Sequence, residues 1–240
     1  MTRDGPRDAA RPAIAVTSDQ RLVAEAVAVA LSSARPGSAV VVPWPGVRPG
    51  VDRSAARPPV GLLMSDLDAV ATVQAAQLAL ARAGTDWLAM TAAPPGAVWG
   101  AVLEAGAIDV VPSSAGLLTV AGRLATLADG PRGSRTGDAA TGAGHAAYLD
   151  LWHGTTLATA VAAGRLPLLS APERAVLEEL AAGRTPREVR RTHAGTHPEV
   201  AALVRRIMRR LAVATPDEAV SALRLAVRAE ALPGASPAPR

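Results

Sequence analysis

Hydrophobic positions along this 240-residue chain follow two different rhythms. Up to about residue 128, short continuous apolar runs alternate with stretches of helical period. Ala13-Ile14-Ala15-Val16-Thr17, Ser38 to Val42, Val60 to Met64, Asp86 to Thr91 and Ile108 to Val111 read as five buried strands. Ser18-Asp19 caps a helix from Gln20 to Ala34, with Leu22, Val23, Ala26, Val27 and Ala30 on one side. Further helical patterns cover 69–83, 97–105 and 115–128. Strands alternating with helices require crossover connections, so the pattern predicts a five-stranded parallel sheet with helices on both faces. The Pro/Gly/Arg-rich stretch Trp44–Pro59 carries no helical period, which leaves one crossover degenerate.

The second rhythm is purely helical. Residues 129–145 are rich in Gly, Ser and Thr and predict a flexible linker. A linker helix follows from Ala146 to about Ala163, weakened by Gly154. Then come four copies of a capping box: Ser170-Ala171-Pro172-Glu173, Thr185-Pro186-Arg187-Glu188, Thr196-His197-Pro198-Glu199 and Thr215-Pro216-Asp217-Glu218. In such a box the hydroxyl and the Glu satisfy each other's backbone amides, and Pro in the first turn costs no hydrogen bond. The boxes predict helices starting at 171, 186, 197 and 216. Gly183 ends the first, and Ala194-Gly195 turns the chain between the second and third. The third repeats Val200, Leu203, Val204, Ile207, Met208 and Leu211 at helical spacing. The chain thus divides into a disordered lead (1–12), an α/β domain (13–128), a linker (129–145), a linker helix (146–168), a four-helix domain (169–229) and a disordered tail (230–240).

Composition narrows the chemistry. There is no Cys, so disulfides and thiolate chemistry are excluded. All 25 basic residues are Arg, the net charge is only +4, and aromatic residues are 2%. The mean hydropathy of +0.20 and the core residue types, Ala, Val and Leu, suit packed domains. No apolar run is long enough to span a bilayer, and the first residues do not form a signal peptide. The expectation is a soluble, cytoplasmic protein with no membrane partner.

A short helix, a glycine turn and a longer helix outline a helix-turn-helix. On the third helix Ala202, Arg205 and Arg209 lie opposite the apolar stripe, flanked by Ala201 and Arg206. Arg187, Arg190 and Arg191 on the second helix add to the same basic surface. Leu169 to Leu177, Ala181-Ala182-Gly183, Glu188-Val189, Val200, Ile207, Arg209-Arg210-Leu211, Val213 and Glu218-Ala219-Val220 resemble the DNA-binding domain of LuxR/NarL-type response regulators, without a gap from 169 to 223. The resemblance implies that the third helix enters the major groove and that the fourth, from Pro216 to about Ala229, forms a homodimer on double-stranded DNA. It implies contacts by Arg205, Arg206, Arg209, Ala201, Ala202, Thr196 and Arg191. Pro198, Glu199, Ala201 and Leu203 depart from the polar or basic residues usual in that family.

The N-terminal domain resembles a response-regulator receiver, which implies a flavodoxin-like α/β fold. Thr17-Ser18-Asp19 matches the acidic pair, Thr91 the switch hydroxyl, and Ala105-Gly106-Ala107 the turn before the fifth strand. Ser18 replaces one acid and Ser113 replaces the lysine. The acceptor position falls on Ser65 when counted from Pro59, and on Asp66 when read from Asp66-Leu67-Asp68. The pocket of Asp19, Asp66 and Thr91 is therefore expected to be vestigial, and the domain a pseudo-receiver. A protein or small molecule would then be its regulator. The four His residues show no metal-ligand spacing, and the glycine-rich stretch lacks the Lys of a phosphate-binding loop. The expected function is transcriptional regulation by DNA binding, with no enzymatic activity, metal or cofactor. The alternative is a degenerate regulator acting through protein–protein contact without sequence-specific DNA binding.

Overall fold

In a computed structural model the chain is described at residues 14–34, 38–45, 58–81, 85–129, 139–192 and 197–232. Five strands form one parallel sheet: β1 Ile14–Ser18, β2 Ala39–Val41, β3 Val60–Met64, β4 Asp86–Thr91 and β5 Ala107–Pro112. The helices are α1 Arg21–Ala34, α2 Val70–Leu80, α3 Ala97–Glu104, α4 Leu117–Asp129, α5 Ala139–His153, α6 Leu157–Gly164, α7 Ala171–Ala181, α8 Pro186–Thr192, α9 His197–Leu211 and α10 Pro216–Glu230. The strand order is β2-β1-β3-β4-β5. This is the flavodoxin-like order, whose direction of winding reverses between β1 and β3 and opens a crevice at the strand ends there. The fold class expected from the sequence, a five-stranded parallel α/β sheet plus a helical C-terminal part, is the one observed.

Contacts group the chain into two compact units. One, within Met1–Ser65, Ala75–Thr91 and Ala105–Arg135, holds the sheet with α1 and α4. Val16, Leu62, Met64, Leu88 and Val111 on one sheet face pack against Ala24, Ala28 and Leu31 of α1 and Val120 and Leu124 of α4. On the other face the Trp87 ring lies over its cross-strand neighbour Gly61, where any Cβ would sit 2.3 Å from the indole. The second unit, within Asp66–Gln74, Ala92–Glu104 and Thr136–Arg240, holds α3 and α5 to α10.

That grouping assigns α3, which the sequence places in the N-terminal domain, to the C-terminal helices. The physical reason is a close helix crossing. A Cβ on Gly100 of α3 would lie 2.1 Å from the Tyr148 carbonyl oxygen of α5. Trp99 is buried, its indole donates to the Ala93 carbonyl at 2.9 Å, and its ring meets Tyr148 edge-on with centroids 5.5 Å apart. Glu104 accepts from the Trp152 indole and bonds His153 Nε2 at 2.8 Å. These two bonds hold its carboxyl below the usual range. Trp99 is therefore a packing residue of this crossing.

Two helix readings change. The single linker helix from 146 to 163 is instead α5 and α6, broken at Gly154-Thr155-Thr156, where the Thr156 hydroxyl caps α6 by accepting from the Thr159 amide at 3.2 Å. Helix α5 also begins at Ala139, inside the stretch expected as a flexible linker from 129 to 145. The lead 1–12, most of Trp44–Pro59, residues 130–138, residues 193–196 (where a turn at Ala194-Gly195 is expected) and most of the tail lie outside the described residues.

Candidate nucleic-acid interface

The helical unit is built on its caps. Glu218 donates its amide to the Thr215 hydroxyl at 3.2 Å and accepts from the Thr215 amide at 3.3 Å, closing the box of α10. Thr185 and Glu188 do the same for α8 at 3.4 and 2.8 Å. At α7 the Ser170 amide and hydroxyl both donate to Glu173 Oε2, at 2.8 and 2.9 Å. The box at Thr196 lies outside the described residues. Helix α7 ends as expected at Gly183, which adopts φ +83°. Its amide bonds the Leu180 carbonyl and the next amide bonds Glu179.

The amphipathic stripe of α9 faces inward. Val200, Ile207 and Leu211 are buried with Val176, Leu177 and Val189, and Leu203 and Val204 pack against the same cluster. Leu169, Ala219, Ala222 and Leu223 complete it. Burying an aliphatic side chain of this size contributes about 1.5–3 kcal/mol, so this stripe fixes the rotation of α9 about its axis. The opposite side must then face solvent.

On that outer side Arg205 and Arg209 are exposed, and Ala201 and Ala202 are half-buried. Arg187 and Arg191 of α8 are also exposed. Among the described residues Arg187, Arg205 and Arg209 have no carboxylate or hydrogen-bond partner. Arg191 lies near enough to Glu188 to help Arg184 hold that carboxyl low, after the larger effect of the Thr185 amide and hydroxyl. Arg190 is half-buried. Thr196 is outside the described residues.

Arg206 is exposed as well, and it also approaches a carboxylate. Its Nε lies 3.9 Å from Oε1 of Glu173, and Arg210 Nη1 lies 3.0 Å from Oε2. Arg210 also donates to the Leu168 carbonyl at 2.7 Å. Glu173 is 0% exposed. Burial pushes its carboxyl up, but the Ser170 donors and the Arg210 and Arg206 charges pull it down further, leaving it below the usual range. One turn of α9 therefore aims two cations back at the start of α7. The sequence reading recognised Glu173 as a cap and missed this second role. The available signal was the four-residue spacing of Arg206 and Arg210, which puts both on one helix edge.

The receiver-like crevice also has a definite geometry. Asp19 follows β1 and Ser65 follows β3, the two strands at the reversal of winding. The Ser65 hydroxyl donates to Asp19 Oδ2 at 2.8 Å, and Ser18 donates to Oδ1 at 3.2 Å. Ser65 is buried and held by its amide on the Met90 carbonyl, whereas Asp66 is exposed. Between the two candidate acceptor positions, Ser65 is the one facing the acid. Thr91 is buried at the end of β4, and its carbonyl accepts from the Ser113 amide at 2.7 Å. Among the described residues no three His, Asp or Glu side chains cluster to hold a metal ion.

No family model matches the sequence, and no curated protein matches it. Solved structures of response regulators are similar to it over most of its length. RcsB from Salmonella enterica serovar Typhimurium, bound to the rprA promoter, is 14% identical with a TM-score of 0.37, over 88% of this chain and 97% of that one. The response regulator ChrA of a heme-sensing two-component system is 17% identical with a TM-score of 0.37, over 91% and 99%. Full-length FixJ from B. japonicum is 18% identical with a TM-score of 0.31, over 92% and 98%. No described helix is long and apolar enough to cross a membrane.

Proposed function

We propose that this chain is a DNA-binding transcriptional regulator of the LuxR/NarL type, working as a homodimer in the cytoplasm. Its receiver-like unit is not controlled by aspartyl phosphorylation. The observation that carries the DNA reading is the exposed, unpartnered set Arg187, Arg205 and Arg209, joined by Arg191, on the side of α8 and α9 opposite a buried apolar stripe. Arginines left without intramolecular partners can release counterions from phosphates and read guanine bidentately. Arg205, Arg209 and Arg191 are the proposed contacts. Ala201 and Ala202 permit close approach, and Thr196 at the start of α9 is a proposed phosphate donor. Arg206 contributes mainly by holding Glu173. Helix α10 supplies the dimer contact.

Selection of bound sequences from random DNA tests this, followed by a gel shift with wild type and Arg205→Ala. Expected are an enriched site with two half-sites and a weakened shift in the variant. Failure of wild type to bind any DNA at low salt would refute the reading. A second reading, protein–protein contact without sequence-specific DNA binding, is favoured by Ala201, Ala202 and Leu203, which offer no polar group to a base edge.

The pseudo-receiver reading rests on the serine hydroxyls at Asp19. A receiver's Mg²⁺ needs converging carboxylates, and here both oxygens of Asp19 accept from Ser65 and Ser18 instead. The residues present do not fit the ion. Incubation with acetyl phosphate and Mg²⁺ should give no stable phosphoryl mass increment. An increment on Asp66 would overturn this. Regulation then falls to a protein partner or small ligand.

A further inference from the structure

An open groove of about 510 Å³ runs between the α5–α6 turn and one side of α10. Its walls are His153, Gly154, Thr155, Thr156 and Thr159 on one side and Ser221, Arg224, Leu225 and Arg228 on the other. Two features of its lining bear on its chemistry. First, Arg224 and Arg228 stand one turn apart on the same face of α10, where like charges repel. Second, no carboxylate lines the groove. Arg224 donates to the Ala181 carbonyl at 3.2 Å, which fixes its position without neutralising it. Arg228 has no hydrogen-bond or ion-pair partner among the described residues. Glu104, bonded to the lining residue His153, is engaged by Trp152 and His153 together.

Thr156 and Thr159 hydrogen-bond each other at 2.9 Å, which leaves two guanidinium groups without a carboxylate and the Thr155 and Ser221 hydroxyls, the chemistry of an anion receptor. Guanidinium forks bind phosphate oxygens with charge-assisted hydrogen bonds, and Thr and Ser hydroxyls supply neutral donors around them. We propose that this groove binds a small molecule through a phosphate group, with Arg228 and Arg224 taking the charge and Thr155 and Ser221 completing the shell. The bound phosphate bridges the α5–α6 turn to α10. It would therefore stiffen the packing of α6 on the last helix. The site is separate from the arginines proposed for DNA.

Calorimetric titration of the full chain with inorganic phosphate and with pyrophosphate, at constant ionic strength, tests this. Saturable binding of one phosphate group per chain is expected. Arg228→Gln, which breaks no internal bond, should weaken it about tenfold or more, the loss expected for one charge-assisted hydrogen bond. Thr155→Val, a neutral change on the opposite wall, should weaken it less. The far-UV circular dichroism of both variants should match wild type. Absence of saturable binding at millimolar phosphate would overturn the proposal. So would unchanged affinity in Arg228→Gln, or loss of affinity in Arg205→Gln instead, which would place the anion on the DNA face.

Discussion

Replacing Glu173 with alanine removes a carboxylate that serves three purposes at once. It accepts the Ser170 amide and hydroxyl, holds Arg210 at 3.0 Å, and draws Arg206 to 3.9 Å. An orphaned amide at a helix start costs about 0.5–2 kcal/mol. Breaking a fully buried pair costs about 3–5 kcal/mol. Here the carboxylate is 0% exposed, but the Arg206 and Arg210 side chains are 52% and 43% exposed and regain water when released. The alanine variant should therefore lose about 2–3 kcal/mol, between those limits. Glu173→Gln keeps an oxygen for Ser170 but loses the charge, and should lose about half as much. Urea unfolding followed by far-UV circular dichroism measures both. The pH dependence has a definite sign. The native carboxyl lies below its unfolded value, so its stabilisation is complete above the ordinary glutamate range and disappears as pH falls through the lowered native value. Glu173→Gln should flatten that part of the wild-type pH profile. A loss under about 0.5 kcal/mol for alanine, or a Gln variant with the wild-type profile, would refute the assignment of a buried lock.

Three further outcomes follow from the geometry. Gly100→Ala should destabilise by about 2 kcal/mol, because a backbone carbonyl 2.1 Å from the new Cβ cannot yield by changing rotamer. Unfolding followed by tryptophan fluorescence reads this, and unchanged stability would contradict the close crossing of α3 and α5. Ala212, which ends α9 at φ +55°, should gain about 0.5 kcal/mol on replacement by glycine, as the left-handed penalty exceeds the added chain entropy. A lowered melting temperature would count against that. Finally, Arg206→Ala should affect urea stability more than DNA affinity, and Arg205→Ala the reverse, since of these two only Arg206 approaches Glu173. Equal effects of both variants on a gel shift would remove the distinction.

Much of the candidate interface is legible in the sequence alone. The α9 stripe from Val200 to Leu211 sets which side is buried, so the exposure of Arg205 and Arg209 follows from helical period alone. The role of Arg206 did not follow. It depends on Glu173, more than thirty residues away, and no local period reports such a pairing. The acceptor question was of the same kind. Ser65 and Asp66 are adjacent at a strand end, and which one faces Asp19 depends on the exact register of β3 beside β1. A one-residue shift exchanges the two faces of a strand.

Local physics accounts for what the sequence by itself determined. Pro and hydroxyl caps fix helix starts, glycine fixes the end of α7, and period separates strand from helix, because each depends on neighbours within a turn. The sheet order could be anticipated only as a class. Tertiary structure alone decided which distant groups meet. It placed α3 with the C-terminal helices through Gly100 and Tyr148. It broke the linker helix at Gly154, where Thr156 starts a new helix. It turned a helix cap at Glu173 into a lock on α9, and it left Arg224 and Arg228 facing a groove with no acid. Each of these is set by packing and charge pairing across long stretches of chain, where sequence spacing carries no distance.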